Sequence, residues 1–180
     1  MDSENTNRLL FKRSLIIYLS ILFIALINFL IILFAPLLVN SSGFLSDLGF
    51  LIYALFSKSC HQIKDRSFFV FGEYLPVCIR CFSIYTGFLL GSIVFPFIRK
   101  FNFFALPKIS LFIFSVVLII IDVSLNLFGF LDNFVISRIV TGGFLGTVAA
   151  FYIIPGFVNA YFEIFIFFKK KKIQPYDKTS

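Results

Sequence analysis

Long apolar runs separated by short polar segments are the main pattern of this chain. A helix needs roughly 20 apolar residues to cross the hydrocarbon core of a bilayer, and four runs reach that length: residues 14–39, 77–98, 109–129 and 134–154. The first run follows a basic segment, but it is too long for the apolar part of a signal peptide, and no small-residue cleavage site comes after it. The pattern therefore predicts four transmembrane helices, the first of them retained.

Two shorter apolar pieces do not fit a simple span. Residues 43–56 contain Asp47 and are too few to cross a bilayer as a helix, which favours an interfacial or re-entrant helix before the segment that carries the cysteines. Residues 157–168 follow Pro155 and Gly156, and proline interrupts helical hydrogen bonding. This piece either prolongs a kinked fourth helix or turns along the membrane surface, and the pattern does not choose between the two.

Composition agrees with the hydropathy pattern. Hydrophobic residues make up 59% of the chain and its mean hydropathy is +0.99, far above the values of soluble domains. A chain of 180 residues has room for one membrane domain with short loops and none for a separate soluble catalytic domain. We therefore predict an all-α integral membrane protein, with four transmembrane helices and the short extra helix in a single domain over residues 1–180.

The positions of the basic residues predict the orientation. By the positive-inside rule, both termini and the basic tail 169–180 lie in the cytoplasm, in a membrane that we expect to be the prokaryotic cytoplasmic membrane. The loop 40–76, which carries most of the Cys/His segment, then lies outside. The net charge of +7 is mostly a topology signal, so the expected partner is the lipid bilayer and not a nucleic acid. The basic residues that set this orientation are Arg8, Lys12, Arg13, Arg99, Lys100, Lys108, Lys169, Lys170, Lys171 and Lys172.

The three cysteines and the single histidine all fall within residues 60–81. Thiolates and imidazole are the usual ligands of soft transition metals, and the two-residue spacing of Cys78 and Cys81 suits a shared ion. With Cys60 and His61 they form a Cys3His set suited to zinc or another soft transition metal. Because Cys60 and His61 are neighbours and side chains alternate along an extended chain, either a turn brings both to the ion or only one of them binds it.

Two other interpretations use the same cysteines. Cys78 and Cys81 would form a redox dithiol at the start of a helix, where the helix dipole and Arg80 lower a thiol pKa, with Cys60 as the resolving thiol. Alternatively, one disulfide from Cys60 to either of the others staples the outer loop. Covalent haem is disfavoured because Phe82, and not histidine, follows the second CxxC cysteine. No nucleotide-binding loop or hydrolase motif is present in the sequence, and we assign no enzyme activity from it.

Ionisable residues inside the predicted spans mark a second candidate site, because a charge in hydrocarbon is costly and is usually paired or functional. Arg80 and Arg138 lie one turn inside the outer ends of their helices, while Asp122 and Asn126 share a face of the third. Together with Arg66 they predict a polar, anion-accommodating pocket beneath the Cys/His loop. A simpler interpretation is an ion pair between Asp122 and Arg138 that only locks two helices together.

Small residues form stripes on two of the predicted spans. Such stripes let helices pack closely within a membrane, and they would also allow a homo-oligomer through the glycine-rich faces. The stripes consist of Ser83, Gly87 and Gly91 on the second span and of Gly142 and Gly146 on the fourth.

Functions from three classes therefore remain. The first is a membrane protein with a Cys/His metal site above a polar pocket. The second is a membrane thiol oxidoreductase that uses the CxxC with a bilayer quinone. The third is a small carrier of an anion or a lipid head group, although the polar residues cluster in one leaflet and no path continues through the other.

The Cys/His segment contains a Cys-His-Gln element at residues 60–62, an Arg-Ser-Phe element at residues 66–68 and a Pro-Val-Cys-x-Arg-Cys element at residues 76–81. With these elements the chain resembles a family of small bacterial and archaeal predicted membrane proteins, a domain of unknown function, and the resemblance covers about residues 45–147. It implies membership and a signature but no mechanism. Where the family often has proline this chain has Lys64-Asp65, and where the family has Thr-Gly it has Phe82-Ser83, so we expect no ligand just after Cys81. The matching residues are Cys60, His61, Gln62, Arg66, Ser67, Phe68, Gly72, Pro76, Val77, Cys78, Arg80, Cys81, Ile84, Tyr85, Gly87, Asp122, Arg138, Thr141 and Gly142.

Overall fold

Helices make up most of the chain in its computed structural model, which describes residues 3–99, 104, 106–128 and 134–173, with side chains between residues 8 and 166 of those ranges. The described part holds five α-helices: α1 Ser3–Val39, α2 Phe44–Ser57, α3 Ile79–Arg99, α4 Ile109–Leu127 and α5 Val135–Ile173. Between α2 and α3 lie one 3-10 turn, Lys64–Arg66, and the two short strands β1 Phe69–Val70 and β2 Glu73–Tyr74.

The predicted fold class is confirmed. Four of the described helices, α1, α3, α4 and α5, are long and apolar enough to cross a membrane, and α2 is a shorter apolar helix that precedes the cysteines. The fourth span does not end near Pro155, because α5 continues through Pro155 and Gly156 to Ile173. The piece 157–168 therefore prolongs that helix. Lys100, Gly129 and residues 174–180, with the side chains of the lysines 169–172, lie outside the described residues.

Helices α3 and α5 approach each other closely enough for their backbones to touch. A Cβ added to Gly87 on α3 would collide with the backbone of Gly143 on α5. In the same way, a Cβ on Gly146 would collide with the carbonyl of Ile84, and one on Gly142 would lie 2.7 Å from the carbonyl of Arg80. Small residues permit this approach, as expected for membrane helices.

This contact corrects one expectation drawn from the glycine stripes. The sequence predicted that the glycine-rich faces could form the interface of a homo-oligomer. In the structure, Gly87 and Gly146 instead face the neighbouring helix of the same chain. These faces are therefore not free to form a homo-oligomer. Assembly through another surface stays a prediction that nothing in the structure tests.

The first helix completes the core at the end of the bundle away from the cysteines. The hydroxyl of Tyr18 on α1 donates a hydrogen bond to the carbonyl oxygen of Ser92 on α3, at 3.0 Å. Around it Phe95, Ile154 and Val158 are fully buried and form one apolar cluster with Tyr18. This packing fixes α1 against the α3–α5 pair.

Helix α2 folds back along the end of α1 and carries the chain down to the cysteines. The turn between them uses Gly43 at φ 69°, a left-handed conformation that glycine adopts without strain. Gly49 packs on the backbone of Val39, and after α2 ends, Cys60 is buried beside Ile32. At 1.5 Å per residue, Ile32 lies about 10 Å along α1 from Val39, so the cysteines lie below the end of α1 and not in a protruding loop.

The close approach of α3 and α5 predicts different costs for two glycine substitutions on the same helix. Gly146→Ala should lower the free energy of unfolding by about 1–3 kcal/mol, because the added methyl group meets the backbone of Ile84. Gly156→Ala is the matched control, since a Cβ there has open space. Thermal unfolding in detergent micelles, followed by circular dichroism, compares the two; equal stability of both variants would contradict this packing.

Candidate metal centre and its arginine-lined cavity

The three cysteines form one compact group. The Sγ atoms of Cys60, Cys78 and Cys81 all lie within 4.8 Å of one another, with Cys60 buried and the other two partly exposed. Cys60 follows the end of α2, where its amide N–H donates to the carbonyl of Phe56 at 2.9 Å. Cys78 immediately precedes α3 and Cys81 lies in its first turn. The two ends of the Cys/His segment are thus brought to one point by α2 and α3.

Gln62 holds those two ends together. Its side-chain amide Nε2 donates to the carbonyl of Tyr53 on α2 at 2.7 Å and to the carbonyl of Pro76, two residues before Cys78, at 2.9 Å. Its backbone has φ 49°, an uncommon conformation for a residue with a side chain. The chain therefore turns sharply just after Cys60 and His61, and a single amide bridges the two segments that supply the sulfur atoms.

A small β-hairpin closes the segment between Gln62 and Cys78. Strands β1 and β2 pair antiparallel, and the two residues that connect them, Phe71 and Gly72, both have positive φ, as a type I′ turn requires. The side-chain amide of Asn40, just after α1, donates to the carbonyl of Phe71 at 2.9 Å. The hairpin is thereby tied to the end of the first helix.

Tyr53 adds a second tie between α2 and the hairpin. Its hydroxyl donates to the carbonyl of Tyr74 in β2. Burial, with a smaller effect from the nearby Glu73 carboxylate, raises the pKa of Tyr53 to about 12. The hydroxyl therefore keeps its proton at physiological pH and remains a hydrogen-bond donor.

Hydrogen-bond donors surround the sulfur atoms. The amide N–H of Cys78 donates to Sγ of Cys60 at 3.1 Å. The pKa of Cys78 is lowered to about 5, chiefly because the thiol of Cys81 donates a hydrogen bond to its sulfur. Backbone N–H groups of Cys81 and Arg80, at the start of α3, add to this effect and outweigh burial, which acts in the opposite direction. The site therefore favours a thiolate, the form that binds metals.

His61 occupies a different position from its neighbour Cys60. Its side chain is exposed and lines the same cavity as the cysteines, but its ring nitrogens are not among the ligand atoms that lie within 4.8 Å of one another. This is the geometry that alternating side chains in an extended chain produce. The structure brings together three of the four predicted metal ligands and leaves the fourth at the cavity wall.

The cysteines open into a cavity of about 320 Å³. Three arginines line it, one from each of three chain segments: Arg66 from the 3-10 turn, Arg80 from α3 and Arg138 from α5. No acidic side chain belongs to the described lining. The described lining consists of Ser59, Cys60, His61, Gln62, Ile63, Arg66, Cys78, Arg80, Cys81 and Arg138.

The polar residues of α4 support two of these arginines from behind. Asp122 is buried and forms an ion pair with Arg80, whose side chain is 21% exposed. Arg138, only 4% exposed, donates from Nη2 to Oδ1 of Asn126 at 3.1 Å. The Asn126 amide in turn donates to the backbone carbonyl of Asp122 at 2.7 Å. Our simpler interpretation, a pair between Asp122 and Arg138, is therefore wrong, because the carboxylate faces Arg80 across the α3–α4 contact.

The five residues predicted to form the polar pocket divide into two layers. Arg66, Arg80 and Arg138 reach the cavity, whereas Asp122 and Asn126 lie behind the arginines and hold two of them in place. The sequence placed these side chains at one end of the bundle but did not separate the two layers. That separation depends on which residues of α3, α4 and α5 face one another.

Some residues that build the site were not singled out by sequence reasoning. Gln62, Tyr53 and Asn40 carry hydrogen bonds that position the cysteines or the hairpin. For Gln62 a signal existed, because it belongs to the Cys-His-Gln element of the resemblance. For Tyr53 and Asn40 the sequence offers no comparable signal, since their partners are backbone carbonyls about 20 to 30 residues away.

Cys78 should react as a thiolate well below the pH at which an ordinary thiol does. In reduced, metal-chelated protein, the alkylation rate of Cys78 is expected to stay nearly level down to about pH 6 and to fall near its pKa of about 5. N-acetylcysteine is the control, and its rate should keep rising toward about pH 8.5. Iodoacetamide labelling with mass spectrometry of the modified peptides measures the profile. A Cys78 rate that climbs in parallel with the control would refute the thiolate assignment.

Comparison with known proteins identifies the family of the chain. Residues 60–152 match the family described as "Predicted membrane protein (DUF2085)", and this range contains every predicted site residue. The uncharacterized protein MJ1492 of the archaeon Methanocaldococcus jannaschii is 38% identical over 151 residues, covering 82% of this chain and 97% of that protein. No solved structure matches. The chain therefore belongs to the DUF2085 family of predicted membrane proteins, as its Cys-His-Gln and Pro-Val-Cys-x-Arg-Cys elements indicated.

Proposed function

We propose that Cys60, Cys78 and Cys81 bind one soft transition-metal ion, with zinc the leading candidate, at the mouth of the arginine-lined cavity. The observation that carries the proposal is the mutual proximity of all three sulfur atoms. In a tetrahedral zinc site with Zn–S bonds of about 2.3 Å, the sulfur atoms lie about 3.8 Å apart. The observed limit of 4.8 Å lies within about 1 Å of that spacing.

The hydrogen bonds at the sulfur atoms support a metal more than a structural staple. A disulfide would use two of the cysteines and leave the third without a role, whereas a metal uses all three. The amide of Cys78 donates to Cys60, and the backbone N–H groups of Cys81 and Arg80 contribute to the lowered pKa of Cys78. Such donors stabilise thiolate charge, which a metal centre requires and a disulfide does not.

Three cysteine ligands leave one position of a tetrahedral ion open toward the cavity. Catalytic zinc sites typically keep such a position for water or substrate, whereas structural sites fill it with a protein ligand. Of the described residues, His61 is the protein candidate for the fourth position, since it lines the same cavity. The proposed function is therefore a membrane metal centre that binds a small ligand in a cavity bounded by His61 and three arginines.

Metal analysis of the purified protein should give about one zinc per chain, together with three free thiols after denaturation without reductant. Cys60→Ser, Cys78→Ser and Cys81→Ser should each abolish tight binding, because each removes one of three ligands. His61→Ala should retain one metal per chain, since its ring lies outside the sulfur group. Ser57→Ala, in the last turn of α2 and outside the described cavity lining, is the control. If the wild-type protein contains no metal and has a single free thiol, two of the cysteines form a disulfide and the metal centre is refuted.

A thiol oxidoreductase is the second candidate, and a specific cavity favours it. An apolar cleft of about 430 Å³ lies between α3 and α5. Its lining includes Leu90, Phe144 and Phe82, and Phe82 directly follows Cys81 in the sequence. In that reaction Cys78 and Cys81 would form a disulfide and lose two protons and two electrons, reducing a quinone in the cleft to its quinol. A short-chain quinone that oxidises the two thiols in metal-free protein, with Cys60 still free, would favour this candidate.

For the orientation, we propose that the Cys/His segment faces away from the cytoplasm. The proposal rests on the basic residues at the opposite ends of the helices and on the positive-inside rule. Lys58, just after α2, and Lys108, just before α4, both have exposed side chains and form a matched pair of sites.

Cysteines introduced at these two positions test the orientation. In intact cells, Lys58→Cys should react with a membrane-impermeant maleimide, and Lys108→Cys should react only after the cells are permeabilised. The wild type, with its three native cysteines, gives the background. The reverse pattern would place the metal centre on the cytoplasmic side.

A further inference from the structure

Arg138 carries a buried hydrogen-bond donor that no described residue satisfies. Only 4% of its surface is exposed, and its Nε–H has no partner in the described part of the chain, although Nη2 is bonded to Asn126. Arg80 shows the same feature, since its Nε is buried without a partner while Nη2 pairs with Asp122. An unsatisfied buried donor costs about 1–3 kcal/mol, and more when the group is charged. Both side chains belong to the lining of the same cavity.

The charges around the cavity are unbalanced in the same direction. Arg66, Arg80 and Arg138 line it, and Arg138 lies close enough to the other two for mutual repulsion. Asp122 is paired with Arg80, and apart from the cysteine thiolates no group in the described lining of the cavity carries a negative charge. Neighbouring cations in a partly buried space require a counter-charge. Water would satisfy a donor but would not supply that charge.

We propose that this cavity binds a small oxyanion, held by Arg138 and Arg80 with Arg66 at the rim. The planar guanidinium groups suit the oxygen atoms of a phosphate or carboxylate, and a volume of about 320 Å³ admits a group of that size. The cysteines line the same cavity, so the anion lies beside the sulfur group. The proposal thereby names the ligand class of the cavity beneath the metal centre.

One step of the argument rests on the proposed function. A divalent metal on three thiolates has one net negative charge, and Asp122 contributes another. The three arginines supply three positive charges, so one positive charge remains for an anion at the metal's open position. The bound oxyanion would then occupy the position that we assigned to His61 from the sequence.

Cobalt(II) substitution separates the two proposals. Thiolate-to-cobalt charge-transfer bands in the near ultraviolet report metal binding by the cysteines, and the visible bands report the fourth ligand. Inorganic phosphate should shift the visible bands saturably, at an ionic strength held constant with sodium perchlorate. Missing charge-transfer bands would reject the metal centre. Normal charge-transfer bands with no response to phosphate, acetate or dihexanoyl phosphatidic acid would reject the oxyanion site.

The same three probes identify the source of the oxyanion. A response to phosphate or to acetate indicates a free anion and shows whether the site prefers a phosphate or a carboxylate. A response to the short-chain phosphatidic acid alone indicates a lipid head group. Thermal stabilisation of the metal-free protein by the same probes tests the site without relying on cobalt, since a ligand bound only to the folded state raises the unfolding temperature.

Arginine variants assign the effect to the cavity. Arg138→Gln should weaken the binding of the responding anion by about tenfold or more, the value of a charge-assisted hydrogen bond. Arg138→Lys should bind the anion more tightly than Arg138→Gln, because lysine keeps the positive charge. It should bind more weakly than the wild type, because lysine lacks the Nε–H. Arg66→Gln tests an exposed position with little risk to folding.

Arg99→Gln is the matched control for these variants. Arg99 lies at the opposite end of α3 and its Nε is also buried without a partner, but it does not line this cavity. Its replacement should leave anion affinity unchanged. An equal loss in Arg99→Gln and Arg138→Gln would mean that general positive charge, and not this cavity, attracts the anion.

Discussion

The backbone contact between α3 and α5 is the constraint on which the rest of the structure depends. Gly142, about two turns into α5, lies against the carbonyl of Arg80 in the first turn of α3, next to Cys81. That contact sets Arg138 of α5 beside Arg80 of α3 at one end of the bundle. The packing of α3 against α5 therefore determines the geometry of the site.

Within that frame, α4 acts as the electrostatic support of the site. Asp122 is the carboxylate that neutralises Arg80, and Asn126 connects Arg138 to the backbone of the same helix. Removing one partner of a buried ion pair leaves an uncompensated charge, which costs far more than the intact pair contributes. The pair therefore fixes α4 to α3 and fixes the direction of the arginine. Nε of Arg80 still has no partner among the described residues, so a structural role for Asp122 is compatible with the anion that we propose.

The sequence predicted the helices well and the site only in outline. Apolar runs define spans because no other structure satisfies the backbone in hydrocarbon, and this constraint is local. The sequence did not decide whether α5 continues past Pro155, because a proline can either end or kink a helix. The pairing of Asp122 was also missed, because helical periodicity shows which residues share a face and not which neighbouring helix that face meets. Gln62 shows the same limit, since its two partners are backbone carbonyls that no pattern of side chains reveals.

The position of His61 decides between two kinds of metal centre. A closed set of three cysteines and one histidine would make the ion a structural link between α2 and α3, but Gln62 already bridges those segments through Tyr53 and Pro76. The turn at Gln62 also directs Cys60 inward and leaves the adjacent His61 exposed at the cavity wall. Because hydrogen bonds already connect these two segments, the connection does not require His61 as a fourth metal ligand. If the cysteines bind a metal as we propose, its fourth position would therefore be available to a ligand beside the three arginines of the cavity.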